Sequence, residues 1–207
     1  MAQSIPVKLE SAELIARDPA TGEEIGSAPL TLPEDVARAV GRAREAQSAW
    51  ARASFRERGR VIMKARRIVL KELEEIALLI TRETGKPVAE AIAMEIVPTL
   101  DLMHYFARHT GSLLRRERIG LGLYGWMGRS SYTVYKPLGV VGIISPWNFP
   151  WATPLDEVVM ALMAGNAVVV KPSELTPLTG LKIKDVFARA GLADGLLQVV
   201  TGDGSTG

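Results

Sequence analysis

Three short, continuously apolar runs in the last third of the chain constrain its fold more than any other feature. The runs are Val140–Ile144, Ala167–Val170 and Leu196–Val200. Helical patterns separate them, one over Asp156–Met163 and one that Thr176 could cap and that continues through Ala190. Strands that are buried on both faces and alternate with helices form parallel sheets with right-handed crossovers. The sequence therefore predicts an α/β fold with a partial doubly wound parallel sheet, of the Rossmann-like kind that binds nucleotides.

Residues 137–207 are interpreted as the first βαβαβ half of a cofactor domain, and residues 1–117 as its N-terminal helical part. The turn-forming run from Asp18 to Gly22 predicts a small hairpin before the helices. Two residue pairs have the spacing of a capping box, which predicts the start of a helix. These pairs are Thr31 with Glu34 and Ser54 with Glu57.

The second of these helices is long and is predicted to end at Gly85, since glycine readily adopts the left-handed conformation that ends a helix. A third helical pattern runs from about Val88 towards Leu114. Pro98 lacks a backbone N–H and clashes with the preceding turn, so we expect it to kink or interrupt this helix.

Residues 118–136 have the pattern of a two-stranded ribbon that protrudes from the domain. Glycines at positions 120, 122, 125 and 128 space out apolar and aromatic residues, and Ser131 to Tyr135 contains residues typical of strands. The pattern predicts two extended strands joined by a glycine-rich turn. Because an isolated two-stranded ribbon is only marginally stable in water, we expect a partner surface, most naturally a homo-oligomer interface.

The charge distribution argues against a nucleic-acid partner. The formal net charge is only +2, and the pI near 9.0 reflects a near-cancellation of acidic and basic residues. The densest basic stretch, from Arg56 to Arg67, has apolar residues at helical spacing. It is therefore interpreted as the solvated face of an amphipathic helix, whereas nucleic-acid binding needs basic residues concentrated on one face.

Missing residue types exclude further classes of site. The 207 residues contain no cysteine, which excludes disulfides, thiolate metal sites and a cysteine nucleophile among them. His104 and His109 are five positions apart and do not share a helix face, so no metal site is expected. No apolar run approaches the ~20 residues that span a bilayer. The N-terminus also lacks a signal-peptide pattern, so we expect no membrane partner and a cytoplasmic location.

The loop after the first predicted strand is the first candidate site. Residues 145–150 read S-P-W-N-F-P, and ligands of open parallel sheets bind at the carboxyl ends of the strands. Two prolines stiffen this loop, and Asn148 offers a neutral amide donor that can stabilise an oxyanion. The alternative is an asparagine that satisfies backbone groups of its own loop, and spacing alone leaves both interpretations open.

The second predicted strand ends in a lysine and a nearby carboxylate, Lys171 and Glu174. If the two strands are neighbours, both side chains emerge beside the first loop and can together hydrogen-bond the two hydroxyls of a ribose. An acidic residue there favours NAD, because its charge opposes the 2′-phosphate of NADP, although NADP is not excluded. The alternative is a surface turn with a local ion pair worth less than ~1 kcal/mol.

Residues 202–207 have the spacing G-x-G-x-x-G. The dinucleotide-binding fingerprint also requires a following helix, another strand and an acidic residue about 20 positions further on. None of these follows within the 207 residues. A glycine-rich turn is therefore the preferred interpretation.

Several blocks of the sequence resemble the aldehyde dehydrogenase superfamily, whose members depend on NAD(P). Residues 140–150, V-V-G-I-I-S-P-W-N-F-P, resemble the P-W-N-F-P segment of that family. Residues 161–174, A-L-M-A-G-N-A-V-V-V-K-P-S-E, resemble its next block. The E-T-G-K-P run at 83–87 is similar to a family landmark further upstream. The blocks occur in family order, and the resemblance extends from roughly Asp18 to Gly207.

The resemblance implies a role for each candidate residue. Asn148 corresponds to the family's catalytic asparagine, whose side-chain amide stabilises the oxyanion of a thiohemiacetal. The implied cofactor-binding residues are Ser145, Pro146 and Trp147 on the nicotinamide side, Lys171 and Glu174 with Ser173 at the adenosine ribose, and Gly204 and Ser205 near the adenine. The strands at 118–136 resemble the family's oligomerisation ribbon.

The resemblance also implies which parts are missing. Family members oxidise an aldehyde to a carboxylic acid with NAD(P)+, using a cysteine nucleophile and a glutamate base that both correspond to positions beyond Gly207. The 207 residues are therefore expected to be the N-terminal part of such an oxidoreductase, truncated and inactive alone. The alternatives are a non-catalytic nucleotide-binding or interaction module of the same fold, and a relative that reduces acyl phosphates. Lys171 and Glu174 argue against that relative.

Overall fold

The computed structural model describes residues 13–207, which begin with the predicted hairpin. Strand β1, Glu13–Arg17, pairs antiparallel with β2, Glu24–Pro29. The turn between them is held by Asp18, whose Oδ1 accepts a hydrogen bond from the Ala20 N–H at 2.8 Å. The prediction of a hairpin centred on this turn is confirmed.

Three helices follow the hairpin, and the first two differ in whether a side chain caps their N-terminus. Helix α1 spans Pro33–Trp50, α2 spans Phe55–Lys71 and α3 spans Leu73–Thr84. The capping box of Ser54 and Glu57 is present at the start of α2, as predicted. The predicted box at the start of α1 is wrong, because the N-cap residue is Leu32 and no side chain caps the helix. Thr31 instead accepts a hydrogen bond from the Thr201 N–H at 2.9 Å, which ties this segment to the end of the sheet.

The helix predicted from Ser54 to Gly85 is two helices, since α2 and α3 are separated at Glu72. Gly85 ends α3 in the left-handed conformation at φ 77°, as predicted. The third predicted helix is interrupted before Pro98, also as predicted. A short α4, Val88–Glu90, is followed by the π-helix Ala91–Ile96 and then by α5. Helix α5 spans Val97–Leu113 and has Pro98 in its first turn.

The glycine-rich region forms a small ribbon. Strands β3, Glu117–Ile119, and β4, Ser131–Thr133, pair antiparallel, which confirms the two predicted strands. Their connection is not a simple turn, because it contains the short helix α6, Leu123–Trp126. The ribbon exposes large apolar side chains, with the Trp126 residue 93% exposed.

A parallel three-stranded sheet and the two helices that connect its strands follow the ribbon, which confirms the predicted α/β class. Its strands are β5, Val140–Ile144, β6, Ala167–Lys171, and β7, Leu197–Val199, in that order across the sheet. Helix α7, Ala152–Met163, connects the first pair of strands, and α8, Pro177–Arg189, connects the second. Every residue of the central strand β6 is buried, because helices pack on the sheet and strands flank it on both sides.

The basic stretch on α2 is only partly solvated, which corrects the prediction of a solvated face. Arg58 is 5% exposed, and its guanidinium donates to three backbone carbonyls. These are Met163 O at 2.9 Å, Ala51 O at 3.0 Å and Trp50 O at 3.3 Å. The other arginine that turns inward is Arg66, whose Nε donates to Leu100 O of α5 at 2.9 Å. No helix within residues 13–207 is long and apolar enough to cross a bilayer.

Candidate functional site

The two loops singled out in the sequence leave the sheet side by side. Ile144 and Lys171 are direct register partners at the carboxyl ends of β5 and β6. The next residue, Ser145, donates its backbone N–H to Lys171 O at 3.0 Å. Both loops therefore start at the same edge of the sheet, where open α/β sheets bind ligands.

The glycine-rich turn at residues 202–207 folds against this same edge. A Cβ on Gly207 would lie 3.2 Å from Lys171 Cδ and 3.4 Å from Ile144 Cδ1. Within the turn, Ser205 donates both its N–H, at 2.9 Å, and its Oγ–H, at 2.6 Å, to Asp203 Oδ1. These bonds lower the pKa of Asp203, and Lys171 lowers it further. Residues 204–206 form a turn in which the Thr206 N–H donates to Asp203 O at 3.2 Å, in agreement with the interpretation as a glycine-rich turn.

Lys171 is 6% exposed, yet its ammonium group keeps unused hydrogen-bond capacity. Its Nζ donates to Pro172 O at 3.1 Å and lies 3.8 Å from Glu174 Oε2. That second distance is longer than a direct hydrogen bond, so both charged groups can still bond to a hydroxyl placed beside them. The neighbouring Ser173 is buried, and its Oγ accepts from the Leu175 N–H at 3.3 Å.

The loop that carries Lys171 and Glu174 is supported by helix α8 at very close range. A Cβ on Gly180 would lie 2.7 Å from both Cβ and Cγ of Pro172. We expect Gly180→Ala to lower the free energy of unfolding by about 2 kcal/mol, because the rigid proline ring cannot move aside without shifting the loop. Urea-induced unfolding of the two proteins measures this difference.

A matched helix variant controls for the intrinsic preference of alanine. A Cβ on Gly41 in α1 would have no atom within 4 Å. Gly41→Ala is therefore expected to raise the free energy of unfolding by about 1 kcal/mol. Equal changes in the two variants would contradict the tight contact between Gly180 and Pro172.

Asn148 lies at the tip of the first loop with its side chain in solvent. Pro146, Trp147 and Asn148 are all exposed, whereas Ser145 is buried at the base of the loop. The Asn148 side-chain amide makes no hydrogen bond to any residue among 13–207, so it does not satisfy backbone groups of its own loop. Its main-chain carbonyl is held instead, because Lys86 Nζ donates to it at 2.8 Å.

Two charged residues to which the sequence analysis assigned no role support this loop. Glu95 of the π-helix is completely buried, and its Oε2 accepts from the N–H groups of Trp151 and Ala152 at the start of α7, at 2.8 and 3.2 Å. Its Oε1 pairs with Lys86 Nζ at 2.5 Å. The ammonium of Lys86 also lies 4.4 Å from the ring centroid of Phe149.

A second buried carboxylate, Glu83, supports the other loop through α8. Its two oxygens accept from Leu178 N–H and Thr179 N–H, each at 2.8 Å, and from Thr179 Oγ at 2.6 Å. Burial raises the pKa of Glu83 to about 7, and the three donors oppose that rise. Thr176 is at the N-cap position as predicted, but its side chain makes no cap hydrogen bond, so the cap is supplied from α3.

Comparisons with known proteins agree with this architecture. The sequence model described as "Aldehyde dehydrogenase family" matches residues 7–207. An aldehyde dehydrogenase from Brucella melitensis biovar abortus 2308 is 31% identical, with a TM-score of 0.88 over 94% of this chain and 39% of that one. A Mycobacterium tuberculosis aldehyde dehydrogenase complexed with NAD+ is 33% identical, with a TM-score of 0.87 over 95% of this chain and 40% of that one.

A third structure, the NAD+ complex of an aldehyde dehydrogenase from Bacillus cereus, is 31% identical with a TM-score of 0.86. The alignment covers 93% of this chain and 39% of that chain. The present chain therefore spans about two fifths of the length of the solved structures it matches. Since the family model matches nearly the whole sequence, the chain belongs to the aldehyde dehydrogenase family.

Proposed function

We propose that this chain is the N-terminal, cofactor-binding part of an oxidoreductase that converts an aldehyde to a carboxylic acid with NAD(P)+. The observation that supports this most directly is the shared position of three segments at one edge of the sheet. They are the Asn148 loop, the Lys171–Glu174 loop and the turn at 202–207. A dinucleotide needs such an extended edge, because its nicotinamide and adenine nucleotide halves bind at separate points.

In the proposed reaction, Asn148 acts on the oxygen of the aldehyde. A thiolate attacks the carbonyl carbon, the C=O π electrons move to oxygen, and the resulting oxyanion of the thiohemiacetal accepts a hydrogen bond from the Asn148 amide. The 207 residues contain no cysteine, so the thiolate must come from a segment outside them. We therefore expect these residues alone to show no aldehyde oxidation.

The residues at the sheet edge fit a nicotinamide dinucleotide, which when bound supplies the hydride acceptor. Lys171 Nζ and the Glu174 carboxylate can hold the two hydroxyls of the adenosine ribose. Ser145, Pro146 and Trp147 would provide backbone for the nicotinamide half, and Gly204 and Ser205 would border the adenine half. We propose NAD as the preferred cofactor, since a carboxylate at Glu174 repels a 2′-phosphate, with NADP as the alternative.

A titration of both cofactors tests this assignment. We expect NAD to bind more tightly than NADP, and Glu174→Gln to weaken NAD binding about tenfold through loss of a charged hydrogen bond. The same substitution should narrow the difference between the two cofactors, because it removes the charge that opposes the 2′-phosphate. Isothermal titration calorimetry measures all four affinities.

A matched variant on α1 controls for the loss of one negative charge. Glu45 is exposed on that helix, and Glu45→Gln is expected to leave both affinities unchanged. Tighter binding of NADP than NAD by the unmodified protein would contradict the proposed preference. An unchanged NAD affinity in Glu174→Gln would contradict the ribose contact.

We further propose that the enzyme is a homo-oligomer that buries the ribbon at 118–136. The ribbon and its flanks expose a cluster of large apolar side chains. They are Leu123, Tyr124, Trp126, Met127, Val134 and Leu138. Exposed apolar patches of this kind mark interaction surfaces, and a two-stranded ribbon gains most from packing against a partner. The substrate is a small-molecule aldehyde.

A further inference from the structure

The loops at the sheet edge are each followed by a helix whose N-terminus binds a buried carboxylate from the N-terminal half of the chain. Glu95 binds the first amides of α7, after the Asn148 loop. Glu83 binds the first amides of α8, after the Lys171–Glu174 loop. Each carboxylate complements the positive end of its helix. The two carboxylates therefore fix the two loops separately.

The Glu95 contact differs from the Glu83 contact because it continues through a second residue to the candidate oxyanion donor. Lys86 Nζ lies between Glu95 Oε1, at 2.5 Å, and the Asn148 carbonyl oxygen, at 2.8 Å. The Lys86 side chain is 10% exposed and that of Glu95 is completely buried, so solvent screens the ion pair between them little. The ammonium also faces the ring of Phe149, the residue after Asn148.

We propose that Lys86 and Glu95 are positioning residues that set the orientation of the Asn148 amide. This proposal rests on the proposed function, in which that amide binds the oxyanion. Glu95 fixes the start of α7 behind the loop, and Lys86 fixes the peptide plane at Asn148 itself. The exposed Asn148 side chain makes no hydrogen bond within residues 13–207. The direction of its Cα–Cβ bond therefore depends on how firmly the backbone of Asn148 is held.

The position of Glu95 depends on the π-helix that precedes Pro98. The wider π turn replaces regular α-helical hydrogen bonding over Ala91–Ile96, and Glu95 within it is completely buried. Preorganised donors stabilise an oxyanion because they need no reorientation during the reaction. A donor displaced by even ~1 Å loses much of this effect. The pair is thus placed to affect turnover without touching the substrate.

The test uses the full-length enzyme that contains this chain, with Lys86→Met and Asn148→Ala made singly and together. We expect Lys86→Met to lower kcat about tenfold and to change the affinity for NAD by less than about twofold. In the Asn148→Ala background, the same change should lower kcat by less than about twofold further, because the group that Lys86 positions is gone. A merely structural role would lower kcat equally in both backgrounds.

Three further variants separate the two loops, control for loss of a lysine and test Glu95 itself. Glu83→Gln is expected to weaken NAD binding more than it lowers kcat at saturating NAD, the reverse of Lys86→Met. Lys182→Met removes a lysine in the middle of α8 that pairs with Glu72 and Glu75. It is expected to leave kcat unchanged. Glu95→Gln, which keeps the shape of the side chain, is expected to follow Lys86→Met.

The outcomes distinguish the oxyanion role of Asn148 from the positioning role of Lys86 and Glu95. A fall in kcat of less than tenfold for Asn148→Ala would end both the oxyanion role and the positioning role. An impaired Asn148→Ala enzyme alongside a fully active Lys86→Met enzyme would overturn the positioning role alone. Equal losses from Lys86→Met in the two backgrounds would also overturn it. Amide hydrogen exchange at Trp151 and Ala152 should stay slow in Lys86→Met, which shows that the Glu95 cap is intact.

Discussion

Replacing Asn148 by alanine is expected to lower kcat of the full-length enzyme by about 100- to 1000-fold, the usual effect of removing one oxyanion donor. The amide is exposed at the end of β5 and makes no hydrogen bond within residues 13–207, so no competing partner holds it back. Its backbone is fixed by Lys86 at 2.8 Å, which limits the reorganisation needed in the reaction. Steady-state kinetics with saturating NAD and aldehyde measure the loss.

Asn148→Asp controls for shape, because the carboxylate keeps the size of the side chain but cannot donate when ionised. It should lose at least as much activity as Asn148→Ala, and its charge should repel the oxyanion. Both variants are expected to keep the NAD affinity and the melting temperature of the unmodified enzyme, since the side chain is exposed. A fall in kcat of less than tenfold would contradict the proposed role.

The strands could be predicted from the sequence because their signal is local. Val140–Ile144 is continuously apolar, and the structure gives the same bounds for β5. Parallel order then placed Lys171 beside the Asn148 loop without any knowledge of side-chain contacts. The capping box of Ser54 is equally local, since both of its hydrogen bonds lie within one turn.

Several features that the sequence analysis got wrong or missed depend on contacts distant in sequence. Thr31 has the spacing of a helix cap, but it bonds to Thr201 at the far end of the sheet. Lys86 and Glu95 act on a loop that lies far along the chain, and Glu95 is buried within a π-helix that no periodicity indicated. The E-T-G-K-P run was recognisable by resemblance, but its spacing did not indicate what its charged side chains contact. In the structure, Glu83 binds the first amides of α8 and Lys86 binds Glu95 and the Asn148 carbonyl.

The burial of Arg58 also depends on contacts distant in sequence, and the sequence did not predict it. Replacing Arg58 by methionine is expected to lower the free energy of unfolding by about 3 kcal/mol. Its guanidinium donates to Trp50 and Ala51 at the end of α1 and to Met163 at the end of α7. The negative ends of two helix dipoles thus balance a positive charge that is 5% exposed. Burial lowers the pKa of Arg58, but the group remains charged at neutral pH.

Methionine retains most of the aliphatic volume of Arg58, so the expected loss comes from the unpaired carbonyls and not from a cavity. Arg60, two positions away on α2, is exposed. Arg60→Met is therefore expected to change the free energy of unfolding by less than about 0.5 kcal/mol. Urea-induced unfolding of the three proteins at neutral pH provides the comparison. Similar values for the two variants would mean that water replaces the Arg58 hydrogen bonds at no cost, and that Arg58 does not help to hold α1 and α7 together.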